Sequence, residues 1–94
     1  MIHYMKTTKA IITGTVQGVM FRNFIKENAD HYELKGFTRN LSDGRVECVF
    51  EGRDENIDKM IEVCKKGPKQ ADIKNITTEN LNHQGFKDFK IIRM

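Results

Sequence analysis

Ninety-four residues are enough for one small core and not for two, so residues 1–94 read as a single domain. With 38% hydrophobic and 31% charged residues of both signs, the composition is globular rather than disordered. A net charge of +3 suits small anionic ligands but is too weak for a nucleic-acid footprint, and no apolar run reaches the ~18 residues of a membrane span.

In chain order, Met1-Ile2-His3-Tyr4-Met5-Lys6 has no long apolar region and no small-residue cleavage site. It reads as a tail or the frayed start of a strand, not a secretory signal, and the protein is expected in the cytoplasm. The β-prone run Ala10-Ile11-Ile12-Thr13 predicts a first strand over residues ~7–14. After the stretch Gly14–Arg22, Phe21, Phe24, Ile25, Ala29 and Tyr32 recur at three- and four-residue spacings and predict a helix over ~22–33. His31 falls near its C-terminus, where partial protonation complements the dipole. A second strand is predicted over ~35–41, with Gly36, Thr38 and Asn40 on one face and Lys35, Phe37 and Arg39 on the other.

Ser42-Asp43-Gly44 predicts a hairpin turn into a third strand over ~45–51. A second helix follows from Asp54 as N-cap, with Glu55 and Asp58 in its first turn. Ile57, Met60, Ile61 and Cys64 make its inward stripe; Lys65-Lys66 and Gly67-Pro68 end it. Further strands are predicted over ~72–81 and ~86–93, joined by the turn Asn82-His83-Gln84-Gly85. Cys48 alternates with Val46 and Phe50, and Cys64 continues a helical stripe, so both read as core residues of a reducing compartment. The order β-α-β-β-α-β with an extra terminal strand is the ferredoxin-like α+β arrangement: two helices on one face of a mixed, mostly antiparallel sheet, the other face wetter. That fold hosts many functions, so activity must be argued from a site.

The stretch Gly14-Thr15-Val16-Gln17-Gly18-Val19-Met20-Phe21-Arg22 joins the first strand to the first helix. Two glycines allow close backbone approach, the first N–H groups of a helix lack intrahelical partners, and the dipole favours an anion there. Arg22 adds a permanent charge with a planar fork of donors. Spacing alone also admits an ordinary glycine-containing loop with Arg22 on the surface. It is neither a Walker loop nor a dinucleotide fingerprint, because no Lys-Ser/Thr follows and no third glycine is present.

The stretch G-T-V-Q-G-V-M-F-R resembles the first signature of the acylphosphatases, which hydrolyse acyl phosphates. Gly36-Phe37-Thr38-Arg39-Asn40-Leu41-Ser42-Asp43-Gly44-Arg45-Val46, closed by Glu51-Gly52, is similar to the family's second signature. Thr38 is the one departure; valine, alanine or cysteine is usual there. The two signatures span residues 14–52. The resemblance implies a ferredoxin-like hydrolase whose loop Thr15, Val16, Gln17, Gly18, Val19 and Met20 holds the substrate phosphate together with Arg22. Asn40 then positions the attacking water. It implies no cofactor and no metal, a small-molecule acyl phosphate as substrate, and inorganic phosphate or sulfate as competitor. A monomer with no nucleic-acid and no membrane partner is expected.

The chemistry agrees with what the motifs contain. They offer no histidine or cysteine nucleophile, no paired carboxylate and no metal-ligand cluster. A carboxylate leaving group, with a conjugate-acid pKa near ~4, departs without a general acid. Positioning and charge stabilisation are then sufficient. Asn40 taken alone also fits a turn-capping residue, and Gln17 fits either a loop lining or a brace. Two rival readings use the same fold. One is a single-stranded nucleic-acid module, since Lys35-Gly36-Phe37 resembles the start of a base-stacking motif, though Thr38-Arg39-Asn40 replaces its continuation. The other is a silent anion sensor. The sequence shows no specificity pocket for the acyl group.

Overall fold

The computed structural model describes residues 4–93. Met1, Ile2, His3 and Met94 lie outside the described residues, so the tail assigned to His3 does too. The first strand, β1 (Met5–Thr15), starts earlier than its periodicity predicts: Met5 and Lys6 already pair with Arg53 and Gly52. After it come α1 (Val19–His31), β2 (Lys35–Asn40), β3 (Val46–Arg53), α2 (Asp54–Lys66), β4 (Asp72–Leu81) and β5 (Phe89–Ile92).

Four further boundaries differ from the sequence reading. Helix α1 begins at Val19, not near 22, because apolar periodicity registers only the inward stripe, and Met20 in the first turn faces outward. The helix ends at His31, where Glu33 takes a left-handed φ of 57° and the Leu34 N–H donates to the Ala29 carbonyl at 2.8 Å. Arg53, not Asp54, is the N-cap of α2, and it makes no side-chain cap bond; Asp54 and Glu55 occupy the first turn, where their charges still suit the dipole. Strand β5 is shorter than predicted, because residues 86–88 belong to a covering loop.

The sheet order is β4-β1-β3-β2-β5. Strand β1 runs antiparallel to both β3 and β4, and β2 runs antiparallel to β3 and parallel to β5. Strands β1, β2 and β5 therefore point the same way, and the C-terminal ends of β1 and β2 share one end of the sheet. The β1–β4 register shifts between Thr13 and Gly14. At Gly14 a Cβ would overlap the Asp72 carbonyl oxygen, so only glycine lets β1 hug β4 just before the chain leaves the sheet.

One sheet face carries Ala10, Ile12, Val46, Cys48 and Phe50, all buried. Phe21, Ile25 and Ala29 of α1 and Ile57, Met60 and Cys64 of α2 close on it, so both helices cover the same face. Each large apolar side chain buried there contributes roughly 1.5–3 kcal/mol. Burial pushes the Cys48 thiol up to about 12; the Thr38 hydrogen bond pulls it down, and the Glu47 charge adds to the rise. Burial likewise raises Cys64, and both cysteines are free thiols. Thr38, the departure from the family pattern, is fully buried with its Oγ1 3.3 Å from Cys48 Sγ.

The opposite face is less wet than alternation predicts. On β3, Glu47, Val49 and Glu51 are buried there. The N–H groups of Gln84, Gly85 and Phe86 donate to the Glu51 carboxylate at 2.7, 2.9 and 3.0 Å, and Thr7 Oγ1 donates at 2.5 Å. The Phe86 ring stands edge-on to Phe37 with centroids 6.0 Å apart. A base-stacking platform would need that face of Phe37, which the chain's own loop occupies. Among the described residues no helix is long and apolar enough to cross a membrane.

Candidate functional site

Helix α1 starts from Gly18, whose φ of 112° and open surroundings mark a position chosen for backbone conformation, not for space. Among the described residues no side chain caps this end, and its first turn holds no acidic residue, unlike that of α2. The first ladder bond runs from the Arg22 N–H to the Gly18 carbonyl, at a long 3.5 Å. The N–H groups of Val19, Met20 and Phe21 lie ahead of that ladder and have no intrahelical acceptor. Arg22 Nε reaches the same Gly18 carbonyl at 3.5 Å, which holds the half-buried guanidinium at the loop. Among the described residues no carboxylate is paired with Arg22, whereas Arg39 and Arg45 are paired with Glu47 and Asp43.

The other loop residues divide by side. Thr15 ends β1 and is exposed, Gln17 and Gly18 are exposed, and Val16 is buried in the core. Any ligand contact from Val16 is therefore made by its backbone. Gln17 is the brace: its Nε2 donates to the Leu41 carbonyl at 2.9 Å and to the Arg45 carbonyl at 3.4 Å. This ties the loop to the mouth of the β2–β3 hairpin, immediately after Asn40. Arg22 and Asn40 are brought to the same end of the sheet, with no direct hydrogen bond between them among the described residues.

Asn40 ends β2 opposite Val46 and is half-buried. Its Oδ1 is buried and has no hydrogen-bond partner among the described residues. The turn is held by other groups. The Leu41 N–H donates to the Arg45 carbonyl at 2.8 Å, and Asp43 Oδ1 accepts from the Arg45 N–H at 3.1 Å. The Asp43 carboxyl lies below its usual value, chiefly through that backbone bond. The turn-capping residue is Asp43.

A sheet end with helix N–H groups that lack intrahelical acceptors, a guanidinium with no carboxylate partner among the described residues and an orphaned amide oxygen is suited to a tetrahedral anion and a polar small molecule beside it. A family model described as Acylphosphatase matches residues 8–91. The chain belongs to the acylphosphatase family. The acylphosphatase of Methanocella arvoryzae is 41% identical over 86 residues, covering 88% of this chain and 98% of that one. The crystal structure of acylphosphatase from Bacillus subtilis superposes with a TM-score of 0.89 at 31% identity, over 96% of this chain and 100% of that one. A segment amounting to 12% of full-length HypF, in a phosphate- and nucleotide-bound crystal form, covers 99% of this chain with a TM-score of 0.90 and 31% identity. Acylphosphatase activity and the ferredoxin-like fold thus both agree with the motif resemblance.

The sequence admits Gln17 as a brace but not its partners, and it gives no partners for Glu51. The two hydrogen bonds of Gln17 across the hairpin mouth reach residues 24 and 28 positions away, a separation that periodicity does not register. The Glu51 carboxylate accepts from a loop more than 30 residues away. The available signal for it was a glutamate on the inner stretch of a central strand.

Proposed function

We propose that this acylphosphatase hydrolyses the carboxyl–phosphate bond where β1 and β2 end, with the phosphoryl group on the 15–20 loop and water held by Asn40. The backbone N–H groups of Thr15, Val16, Gln17, Gly18, Val19 and Met20 face the phosphoryl oxygens together with the Arg22 guanidinium. The observation that carries the reading is the buried, unpartnered Asn40 Oδ1 beside that loop. Leaving such an oxygen without a donor costs about 1–3 kcal/mol, which supports a ligand that supplies the donor. A water molecule donating to Oδ1 has its lone pair free for phosphorus.

In the reaction the water oxygen bonds to phosphorus and the phosphorus–acyl oxygen bond breaks, the electron pair leaving with the carboxylate. The water proton passes to a phosphoryl oxygen, giving inorganic phosphate. Charge on the equatorial oxygens meets the helix N–H groups and Arg22. The carboxylate needs no acid. The protein works as a cytoplasmic monomer and one domain, and needs no metal.

Hydrolysis of benzoyl phosphate, followed by ultraviolet absorbance with and without chelator, tests the reading. We expect turnover that chelator leaves unchanged, competitive inhibition by phosphate and sulfate, and negligible action on a simple alkyl phosphate. Comparable rates on the alkyl phosphate, or chelator-sensitive activity restored by metal, would overturn the mechanism.

A further inference from the structure

Met20 is 64% exposed at the very start of α1, two residues before Arg22. A large apolar side chain in a phosphate loop needs a reason. Beside it lies a small, mostly apolar cavity of about 80 Å³ bordered by Thr15, Gln17, Met20, Phe21, Pro68, Gln70 and Ala71, with Gln17 forming the wall between it and the Asn40 side. Thr15, Gln17 and Met20 belong to the loop itself; Pro68, Gln70 and Ala71 come from the turn between α2 and β4. A second groove, of about 270 Å³, continues from it along α1, sharing Met20 and Pro68 and adding Phe24 and Glu27.

The strand order decides what this cavity faces. From β1 the sheet continues through β3 to β2 on one side and to β4 on the other. Asn40 at the end of β2 is two strands away from β1, roughly 10 Å. On the opposite side Asp72, next to Ala71, is registered directly against Thr15. A phosphoryl group over the loop therefore has Asn40 on one flank and the Met20–Pro68–Ala71 cavity on the other. Phosphoryl transfer places the entering and leaving oxygens roughly in line. With water on the Asn40 flank, the leaving carboxylate points at the cavity, and the acyl chain, one carbon further, enters it.

Resting on the phosphate site proposed above, we infer that the groove between Met20 and the 68–71 turn is the acyl subsite, and that it selects uncharged, apolar acyl groups. An apolar cavity of about 150 Å³ holds benzene, so the 80 Å³ part takes a short chain and a longer or ring-bearing group extends along the second groove. Glu27 on the rim of that groove disfavours an acyl group ending in a second carboxylate.

The test compares acetyl, butyryl and succinyl phosphates on the wild type, with inorganic phosphate as inhibitor. Acetate and butyrate are nearly equal leaving groups, so intrinsic reactivity does not separate the first two. Two more buried methylenes should raise kcat/KM for butyryl phosphate about tenfold over acetyl phosphate, with succinyl phosphate well below butyryl. Ala71→Leu fills the cavity and should bring the butyryl-to-acetyl ratio near one without changing phosphate inhibition. Gln70→Lys, an exposed change that keeps the fold, should raise succinyl over butyryl phosphate several-fold. A wild-type ratio near one, or a ratio insensitive to both variants, with phosphate still competing, overturns the acyl subsite alone. Absence of phosphate competition in the wild type would instead overturn the phosphate site beneath it.

Discussion

Asn40 and Glu51 sit in the same β-hairpin motif, and their polar atoms are treated in opposite ways. The Glu51 carboxylate is buried and accepts from Thr7 and from three successive loop N–H groups. The Asn40 amide oxygen is buried and accepts from nothing among the described residues. The helix starts show the same contrast: α2 carries Asp54 and Glu55 in its first turn, and α1 carries no acid. Buried polar groups that serve the fold are satisfied within it; the ones left open fall at the site proposed for the substrate. The two classes predict different consequences of mutation: loss of activity without loss of stability at one, the reverse at the other.

The largest effect is expected at Arg22. Arg22→Gln should bring turnover of benzoyl phosphate below detection and abolish phosphate binding by calorimetry, with thermal melting nearly unchanged. Among the described residues the side chain makes one hydrogen bond, long and exposed, so the fold has little to lose. Arg22→Lys should rescue poorly, because an ammonium lacks the planar fork. Unchanged phosphate affinity in Arg22→Gln would move the residue to the fold-serving class.

Asn40→Ala follows. Loss of one preorganised polar group should lower kcat by on the order of 10²–10³. Phosphate affinity should hold, since the loop and Arg22 remain. Urea unfolding should show no destabilisation, because no bond from Oδ1 is lost. A variant that loses stability while keeping its turnover per folded molecule would return Asn40 to the turn.

Glu51 is the mirror case. Glu51→Ala strands three N–H donors and should cost roughly 2–4 kcal/mol of stability, with kcat per folded molecule near normal. Its pH signature is also defined. Burial alone would raise the Glu51 carboxyl, but the bonds from Thr7, Gln84 and Phe86 and the charge of His83 outweigh it and hold the group below its usual value. A depressed native value means stability present above the ordinary carboxylate range and lost as pH falls through the native one. Urea midpoints should therefore drop on acidification below about pH 4.5 in the wild type, and less steeply in Glu51→Gln.

Much of this was legible in residues 14–52, and the reason is local. Strand alternation and helical spacing reported the core face of β2, β3 and both helices, because those periods are set by the backbone itself. The loop and Asn40 were legible as motifs. The covering of Phe37 by Phe86 and the capture of residues 84–86 by Glu51 were not, since they depend on a loop returning across the sheet. The Met20–Pro68 cavity was hidden for the same reason: its walls are 48 positions apart and meet through β1–β4 pairing and the packing of α2 on α1.

The smallest effect concerns Thr38, the family departure. Its hydroxyl is fully buried and among the described residues meets only Cys48 Sγ, at 3.3 Å. Sulfur is a weak partner, so the bond offsets only part of the cost of burying the hydroxyl. Valine has the same shape, favours strands, and leaves behind a thiol that behaves as a small hydrophobe. Thr38→Val should accordingly raise stability slightly, by about 0.5–1 kcal/mol, within the range of one neutral hydrogen bond and of opposite sign. Kinetics should be unchanged, because the Thr38 side chain is fully buried in the core against Cys48. Urea unfolding at neutral pH reads the sign directly. A loss of more than about 1 kcal/mol would mean that the Thr38–Cys48 pair, like Glu51, belongs to the satisfied class and that the departure is a compensated one.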